Sequence, residues 1–510
     1  MDSKESETSI KGEKIEMKKK IEKIELKKRY GLILLLGVIS TIFVYLFSYS
    51  TSPFYPFYYG GDSAQFQTVG KAWLNGMIPY RDVFDHKGPL IFFINMVGWG
   101  ITKSATGIML IQIVALLFTL IGIYFLSQLL MDNKGYGIMT VVLSLVILNL
   151  YYSEGNRVEE YCLPFICYSS YFQIRFLFKR NLLQKHNIKY SFFYGISISV
   201  CLLTRITNAI TICVGVLLIC IWLLKDKEYK ELVKNGLAML VGIMFLIIPF
   251  AIYFLLNNAF SDFLYGMIGY NLEYQKEMSS WLAEATGENW KNFIIFYFSS
   301  YCIFFTAFFA FKRKEYLYTV YCVLCGIMEM YLFCSGGLFP AYAIITLPQF
   351  TLFFNEVMIM DKKNNENRVV KTVILCWVSC LLFSNFIDRG IVWPIDIHNR
   401  YKQLKIVGYE EILKMVPEEE LDSFIAYGGN DFKTLYLLND ILPEYKYFVI
   451  QEWHGRFSQK TKEDIYEVFA NGNVNWILTE GNANNIQSVL DSKYVLHAEK
   501  DKYCLYKLKN

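Results

Sequence analysis

Between Gly31 and Phe386 the chain is a succession of apolar runs, most of them long enough to cross a bilayer, separated by short loops in which lysine and arginine gather. Nothing else in the sequence constrains its fold so strongly. A segment in lipid has to satisfy its own backbone polar groups, and about 20 apolar residues do so as an α-helix. The chain therefore reads as a polytopic α-helical membrane protein. Composition agrees: 54% of the 510 residues are hydrophobic and only 19% are charged, too few charges for a soluble chain of this length. A net charge of +4 is too small to point to a nucleic-acid partner. Eleven of the 12 cysteines lie within or beside apolar runs and read as buried, inert thiols; Cys322 and Cys325 form a C-x-x-C with no second pair and no histidine nearby.

Basic residues set the orientation. The tail 1–29, with Lys18, Lys27, Lys28 and Arg29, is expected in the cytoplasm. So are Lys179-Arg180, the run from Lys225 to Lys234, Lys312-Arg313-Lys314 and the segment from Asp361 to Arg368. This alternation holds only if the run from Pro89 to Ile101 does not cross. It is short and ends in Gly98-Trp99-Gly100, so it reads as an interfacial or re-entrant helix. About eleven spans follow, near 30–50, 106–130, 136–152, 161–178, 190–204, 208–224, 236–256, 291–311, 315–334, 338–358 and 370–388. The stretch 190–224 is too long for one helix and basic at both ends, which predicts two short helices turning at Thr204 to Asn208. The polar segments left outside are 51–87, 153–160, 204–208, 257–290, 335–340 and everything after Asp388.

The expected domains are the cytoplasmic tail 1–29, a membrane domain 30–388 and an extracytoplasmic α/β domain 389–510. In the last, strands are predicted at 423–427, 445–450, 474–479 and 503–508, and helices at 409–416, 461–469 and 485–490. Their alternation predicts a parallel sheet. The segment carries no phosphate-loop or metal motif and reads as a cap on the external face.

The first external loop holds the densest chemistry. Asp62 follows Gly60-Gly61, which would let backbone approach a ligand, and opens a helix-like stretch where the helix dipole favours a carboxylate. Sheltered from water at the membrane boundary, its pKa would rise and it would serve as a base. Lys87, beside Gly88-Pro89, suits a phosphate and equally a lipid head group. Arg81, Asp82, Asp85 and His86 crowd the same loop. His86 with Asp82 and Asp85 would make a metal site, but no second histidine is near and no divalent metal is assigned. Glu159 and Glu160 are adjacent and cannot share one helix face, so one faces the site and the other faces water or Arg157. Arg205 needs an anion, which is a carboxylate of the fold or a phosphate. Tyr270 and Asn271, in the long loop 257–290 that also holds Trp281, suit sugar faces and hydroxyls, or belong to a helix lying on the bilayer.

Gly60-Gly61-Asp62, then Gly76-Met77-Ile78-Pro79-Tyr80-Arg81-Asp82, then Lys87-Gly88-Pro89-Leu90 resembles the GT-C glycosyltransferases, in the branch of the protein O-mannosyltransferases and aminoarabinose transferases. Glu159-Glu160 resembles the second acidic spot of that family, and Leu203-Thr204-Arg205 its leucine-threonine-basic turn. The layout agrees from about Tyr30 to Phe386; only the first loop is specific. Here Lys87 precedes Gly88-Pro89 where the family often has Lys-Pro-Pro, and Pro340-Ala341-Tyr342 stands where relatives often have a histidine-tyrosine pair. The resemblance implies an inverting hexosyl or pentosyl transferase of the plasma membrane, moving a sugar from a polyprenyl-phosphate carrier to a glycan, lipid or protein acceptor outside. Asp62 would be the base, Lys87 and Arg205 would bind the donor phosphate, and Glu159 or Glu160 would position acceptor or sugar. Arg81, Asp82, Tyr270 and Asn271 are further substrate-binding candidates. The alternatives are a lipid or glycan flippase and a glycan ligase or polymerase.

Overall fold

A computed structural model describes residues 30–131, 133–178, 185–276, 290–335, 339–363, 380, 384, 387–404, 409–481, 483 and 485–509. The helices of the membrane part follow in order: α1 (Tyr30–Phe47), α2 (Asp62–Leu74), α3 (Pro89–Thr102), α4 (Thr106–Leu130), α5 (Lys134–Tyr151), α6 (Val158–Phe178), α7 (Ile188–Leu202), α8 (Ile210–Lys225), α9 (Tyr229–Leu256), α10 (Phe260–Leu264), α11 (Trp290–Lys312), α12 (Tyr316–Ser335) and α13 (Leu347–Lys363). Among the described residues seven stretches are long and apolar enough to cross a membrane: α1, α4, α5, Ile206–Lys225, α9, Tyr316–Phe333 and Ala341–Ile359. Helices α6, α7 and α11 occupy three further expected spans; most of the expected span 370–388, the tail 1–29 and Trp281 lie outside the described residues.

The re-entrant reading of the run at Pro89 matches a short apolar helix. With 14 residues α3 rises about 21 Å, less than the roughly 30 Å of hydrocarbon. Its start is set by Pro89 at the first helical position, where the missing N–H costs nothing. The turn expected at 204–208 is present as a one-turn 3₁₀ segment, Ile206–Ala209, between α7 and α8. Helix α9 exposes Leu237, Val241, Phe245, Ile248 and Ile252, an apolar face of the kind lipid covers.

The C-terminal sheet has the order β1-β2-β4-β3, with β1 (Phe424–Tyr427), β2 (Trp476–Glu480), β3 (Tyr494–Lys500) and β4 (Tyr503–Leu508). Only β1 and β2 are parallel, which corrects the expected parallel sheet. The strand missed from sequence, β3, joins β4 through Asp501 and Lys502 alone, and so short a link permits only an antiparallel hairpin. The segment 445–450 is not a strand. Its backbone bonds go elsewhere: the Lys446 carbonyl accepts from Phe84 N–H (2.8 Å), the Phe448 carbonyl from the Tyr436 hydroxyl (3.0 Å), and the Ile450 N–H donates to Gly428 (3.0 Å). One apolar cluster runs from Val69, Tyr80 and Phe254 to Phe432, Leu435 and Trp476, so the sheet region packs on α2 and the loop that follows it. Two ion pairs flank that contact, Lys71 with Asp440 (2.5 Å) and Lys446 with Asp262 (2.8 Å).

Candidate functional site

A cavity of about 1310 Å³ lies where the loops at the ends of α2, α3 and α6 face the C-terminal region. Asp62, Lys87 and Glu159 line it. Asp62 is the first residue of α2, at the positive end of the helix dipole. Arg157 reaches it from the loop before α6, Nη1 to Oδ2 at 2.5 Å, while its Nη2 lies 3.0 Å from Glu154. Lys433 approaches the other carboxylate oxygen at 3.7 Å from the C-terminal region. The glycines before Asp62 serve this arrangement. Gly60 has φ +75°, and a Cβ there would lie 2.8 Å from the Glu154 carboxyl carbon. The Gly61 N–H donates to the same carboxylate (3.2 Å). The close approach permitted by the glycine pair is thus made by Glu154.

Burial pushes the Asp62 carboxyl up, but Arg157, Lys433 and Lys87 outweigh it and hold the group well below the usual carboxylate range. The expected raised pKa is therefore corrected: Asp62 is an ionised, anchored carboxylate. The raised acid is its neighbour Asp85, enclosed in the same cavity wall, where burial prevails over the partial opposition of Lys87. Asp85 accepts the Lys87 backbone N–H (2.9 Å) and so shapes the turn that presents Lys87.

Two backbone bonds place Lys87. Gly88 N–H donates to the Thr204 carbonyl (3.0 Å) and Leu90 N–H to the Leu203 carbonyl (2.9 Å), laying Lys87-Gly88-Pro89 directly on Leu203-Thr204-Arg205. The two basic motifs thus become one junction. The Lys87 ammonium lies 3.1 Å from His86 Nε2 and has no carboxylate within ion-pair distance among the described residues. Arg205 pairs with Glu159 (3.2 Å), and its guanidinium carbon sits 3.2 Å from the centre of the Tyr342 ring. Of the two anions weighed for Arg205, the fold supplies the carboxylate. Lysine would keep the charge and lose both the planar stack and the forked geometry. Arg205→Lys is expected to loosen this stack and destabilise the folded protein by about 1 kcal/mol, read as a lowered Tm.

Glu160 does not reach the cavity. Its Oε1 accepts the Arg157 backbone N–H (2.8 Å), the reach-back of a third-position glutamate at a helix start, and its Oε2 accepts from Gln112 (2.8 Å). Arg81 and Asp82 pair with each other (2.7 Å) at the surface, Asp82 bonding Ile78 N–H and Arg81 the Asn257 carbonyl. They brace the loop and lie off the cavity wall. Tyr270 is buried behind the wall with its hydroxyl on the His454 carbonyl (3.2 Å); Asn271 holds the His86 carbonyl (2.7 Å). Neither these four nor Glu160 lines the cavity, and their polar atoms are bonded within the fold. Among the described residues no three His, Cys, Asp or Glu side chains gather as metal ligands.

The C-terminal region contributes Gly428, Lys433, Trp453, His454 and Arg456 to the cavity, so the expected cap is also a wall of the site. Burial, helped by Lys433 and Lys87, lowers the His454 imidazole to about 3, and His86 is likewise held low by burial and Lys87, so both are neutral near pH 7. Sequence reasoning missed Glu154 and Lys433, met Tyr342 only as a departure from the family pattern, and named Arg157 only as a partner for a glutamate. Arg157 and Glu154 carried a signal, an opposite-charge pair three residues apart beside a span; Lys433 carried none.

A family model described as "Putative competence-induced protein Ccs4 N-terminal domain" matches residues 17–397. No curated protein matches the chain. Among solved structures, it is similar to ArnT from Cupriavidus metallidurans bound to undecaprenyl phosphate, with a TM-score of 0.52, 10% identity and 93% of this chain and 98% of that one covered. It is also similar to the Archaeoglobus fulgidus oligosaccharyltransferase in complex with zinc and sulfate (TM-score 0.51, 12% identity, 87% and 68% covered). The same organism's oligosaccharyltransferase AglB, in complex with an inhibitory peptide and a dolichol-phosphate, gives a TM-score of 0.52 at 10% identity, with 89% and 70% covered.

Proposed function

The chain belongs to the Ccs4 N-terminal domain family and has the GT-C fold, and from that premise we propose that it transfers a sugar from a polyprenyl-phosphate carrier to an acceptor on the external face of the membrane. One observation carries the reading. The ionised Asp62 shares a cavity with Lys87, and Lys87 is docked by backbone bonds on the turn that carries Arg205. Anionic and cationic ends of one reaction thus lie together, and two of the similar structures hold polyprenyl phosphates.

In this reading an acceptor oxygen attacks the sugar anomeric carbon while the bond from that carbon to the phosphate oxygen breaks. The phosphate keeps the electron pair and gains one negative charge. Lys87 and Arg205 stabilise that charge as it develops. Asp62 accepts the hydrogen bond of the acceptor hydroxyl, orients it for attack opposite the leaving phosphate and inverts the sugar carbon. Being strongly ionised, it acts chiefly through orientation and takes the proton only as the new bond forms. Glu159 holds the Arg205 guanidinium in place. The reading includes a multi-pass protein of the plasma membrane, tail 1–29 inside, membrane domain 30–388 and domain 389–510 outside.

Lys87→Met tests it. The wild-type protein, purified in lipid with radiolabelled polyprenyl-phosphate sugars and a membrane extract, should transfer label to the extract. The variant should lose about 10²-fold or more. Failure of the wild type with every polyprenyl-phosphate sugar supplied would overturn the reading.

A further inference from the structure

His86 lines the transfer cavity beside Lys87, and the proposed reaction gives it no part. Its Nε2 lies 3.1 Å from the Lys87 ammonium. An ammonium has only donors, so Nε2 accepts, and the ring proton of the neutral imidazole sits on Nδ1. That nitrogen is buried and has no hydrogen-bond partner among the described residues; Asp85 Oδ1 stays 3.9 Å away, beyond hydrogen-bond reach. The ring is clamped by segments outside its own loop. Tyr274 stacks on it, with 5.3 Å between centroids and 28° between planes, and Tyr270 lies tilted against it at 5.4 Å. His454 of the C-terminal region meets it edge-on at 6.3 Å. Asn271 donates to the His86 carbonyl (2.7 Å). Ring and backbone of His86 are thus held together by Tyr270, Asn271 and Tyr274, two of which the sequence had offered as substrate contacts.

The bonds from Gly88 and Leu90 fix the backbone of the Lys87 turn, but a lysine stem is flexible and its ammonium can swing. A carboxylate beside the ammonium would hold it and would also cancel the charge that a leaving phosphate needs. A neutral imidazole holds it with one charge-assisted hydrogen bond and leaves both the charge and the other N–H donors free. We infer that His86, as the Nδ1–H tautomer, is the positioning residue for Lys87: its Nε2 aims the ammonium at the donor phosphate without neutralising it. The phosphate is taken from the transfer reading; the bond between His86 and Lys87 stands without it.

Variants of the full chain, purified in detergent, separate aiming from packing when Kd for polyprenyl phosphate is measured. His86→Gln sets an amide oxygen as many bonds from the backbone as Nε2 and should bind like wild type. His86→Phe keeps a ring against Tyr274 and loses the acceptor; it should bind about tenfold more weakly, the worth of a hydrogen bond to a charged group. His86→Glu grips the ammonium and cancels its charge, and should bind no better than His86→Phe. A role in packing alone predicts the reverse, with phenylalanine tolerated and glutamine not. Binding by His86→Phe or His86→Glu equal to that of His86→Gln overturns the inference. A wild type that binds no polyprenyl phosphate removes the transfer reading instead, and the bond is then decided by NMR of the ring nitrogens in protein carrying isotopically labelled histidine. Of the five histidines, the signal missing from His86→Gln belongs to His86. It should show a protonated Nδ1 and a bare Nε2, and the Nε2 signal should move in Lys87→Met. A protonated Nε2, or a signal that does not move, overturns the inference. Should no His86 variant fold, the same signal is assigned by replacing the other four histidines in turn.

Discussion

Asp62→Asn is expected to lower sugar transfer by about 10²–10⁴-fold, the usual loss when a positioned acid–base group is removed. The asparagine keeps the shape and can still accept one hydrogen bond from Arg157. It loses the charge that balances Arg157 and Lys433, and the acceptor oxygen aimed at an incoming hydroxyl. A second readout separates this from simple misfolding. Because the Asp62 pKa is held below that of an unfolded aspartate, its stabilising contribution is fully present above about pH 4 and is lost as pH falls below that value. The Tm gap between wild type and variant should therefore be widest near neutrality and close on acidification. Activity should show no titration attributable to Asp62 between pH 5 and 8, in contrast to a base poised near neutrality. Equal transfer by the two proteins would remove Asp62 from the chemistry.

Gly88→Ala tests the junction itself. A Cβ at this position would sit 2.3 Å from both the carbon and the oxygen of the Leu203 carbonyl and 2.7 Å from Thr204 N. These are backbone atoms and cannot rotate aside, so the Lys87 turn has to lift off the Arg205 turn. Overpacking of this kind costs about 1–3 kcal/mol. The backbone bonds from Gly88 and Leu90 would weaken with it. Displacing Lys87 by about 1 Å from the phosphate is enough to cost about 10²-fold in rate. The expected result is a lowered Tm together with a loss of transfer larger than the stability change explains. Gly236→Ala on α9 is the control. A Cβ there meets nothing within 4 Å, and the helix prefers alanine, so transfer should be unchanged. Unaltered transfer in Gly88→Ala would sink the idea that the two basic motifs act as one unit.

The features legible in the amino-acid order were those set by local chemistry. Apolar run length marked the helices, and basic loops required that Pro89 to Ile101 not cross the bilayer, a reading with which the 14-residue length of α3 is compatible. Gly88-Pro89 and Leu203-Thr204-Arg205 were visible as turns, and Asp62 and Lys87 as unusual charges outside them. Even the division of labour between Glu159 and Glu160 followed from helix geometry, since adjacent residues face different ways. Where the reading went astray, the cause lay in contacts far apart in sequence. Segment 445–450 has strand composition, but Phe84 takes the Lys446 carbonyl that a ladder would have used. Asp62 was expected to be a raised acid because its apolar setting is readable, whereas Arg157, 95 residues away, and Lys433 are what make it a low one. Lys433 in the cavity wall carried no local mark at all, and Tyr342 was visible only through the family resemblance, not as the ring beneath Arg205. Hydrophobic length and turn preference are properties of neighbouring residues and survive in a linear string. The charge state of a carboxylate depends on which cations lie within a few ångströms in space, and chain order does not encode that distance until the helices have packed.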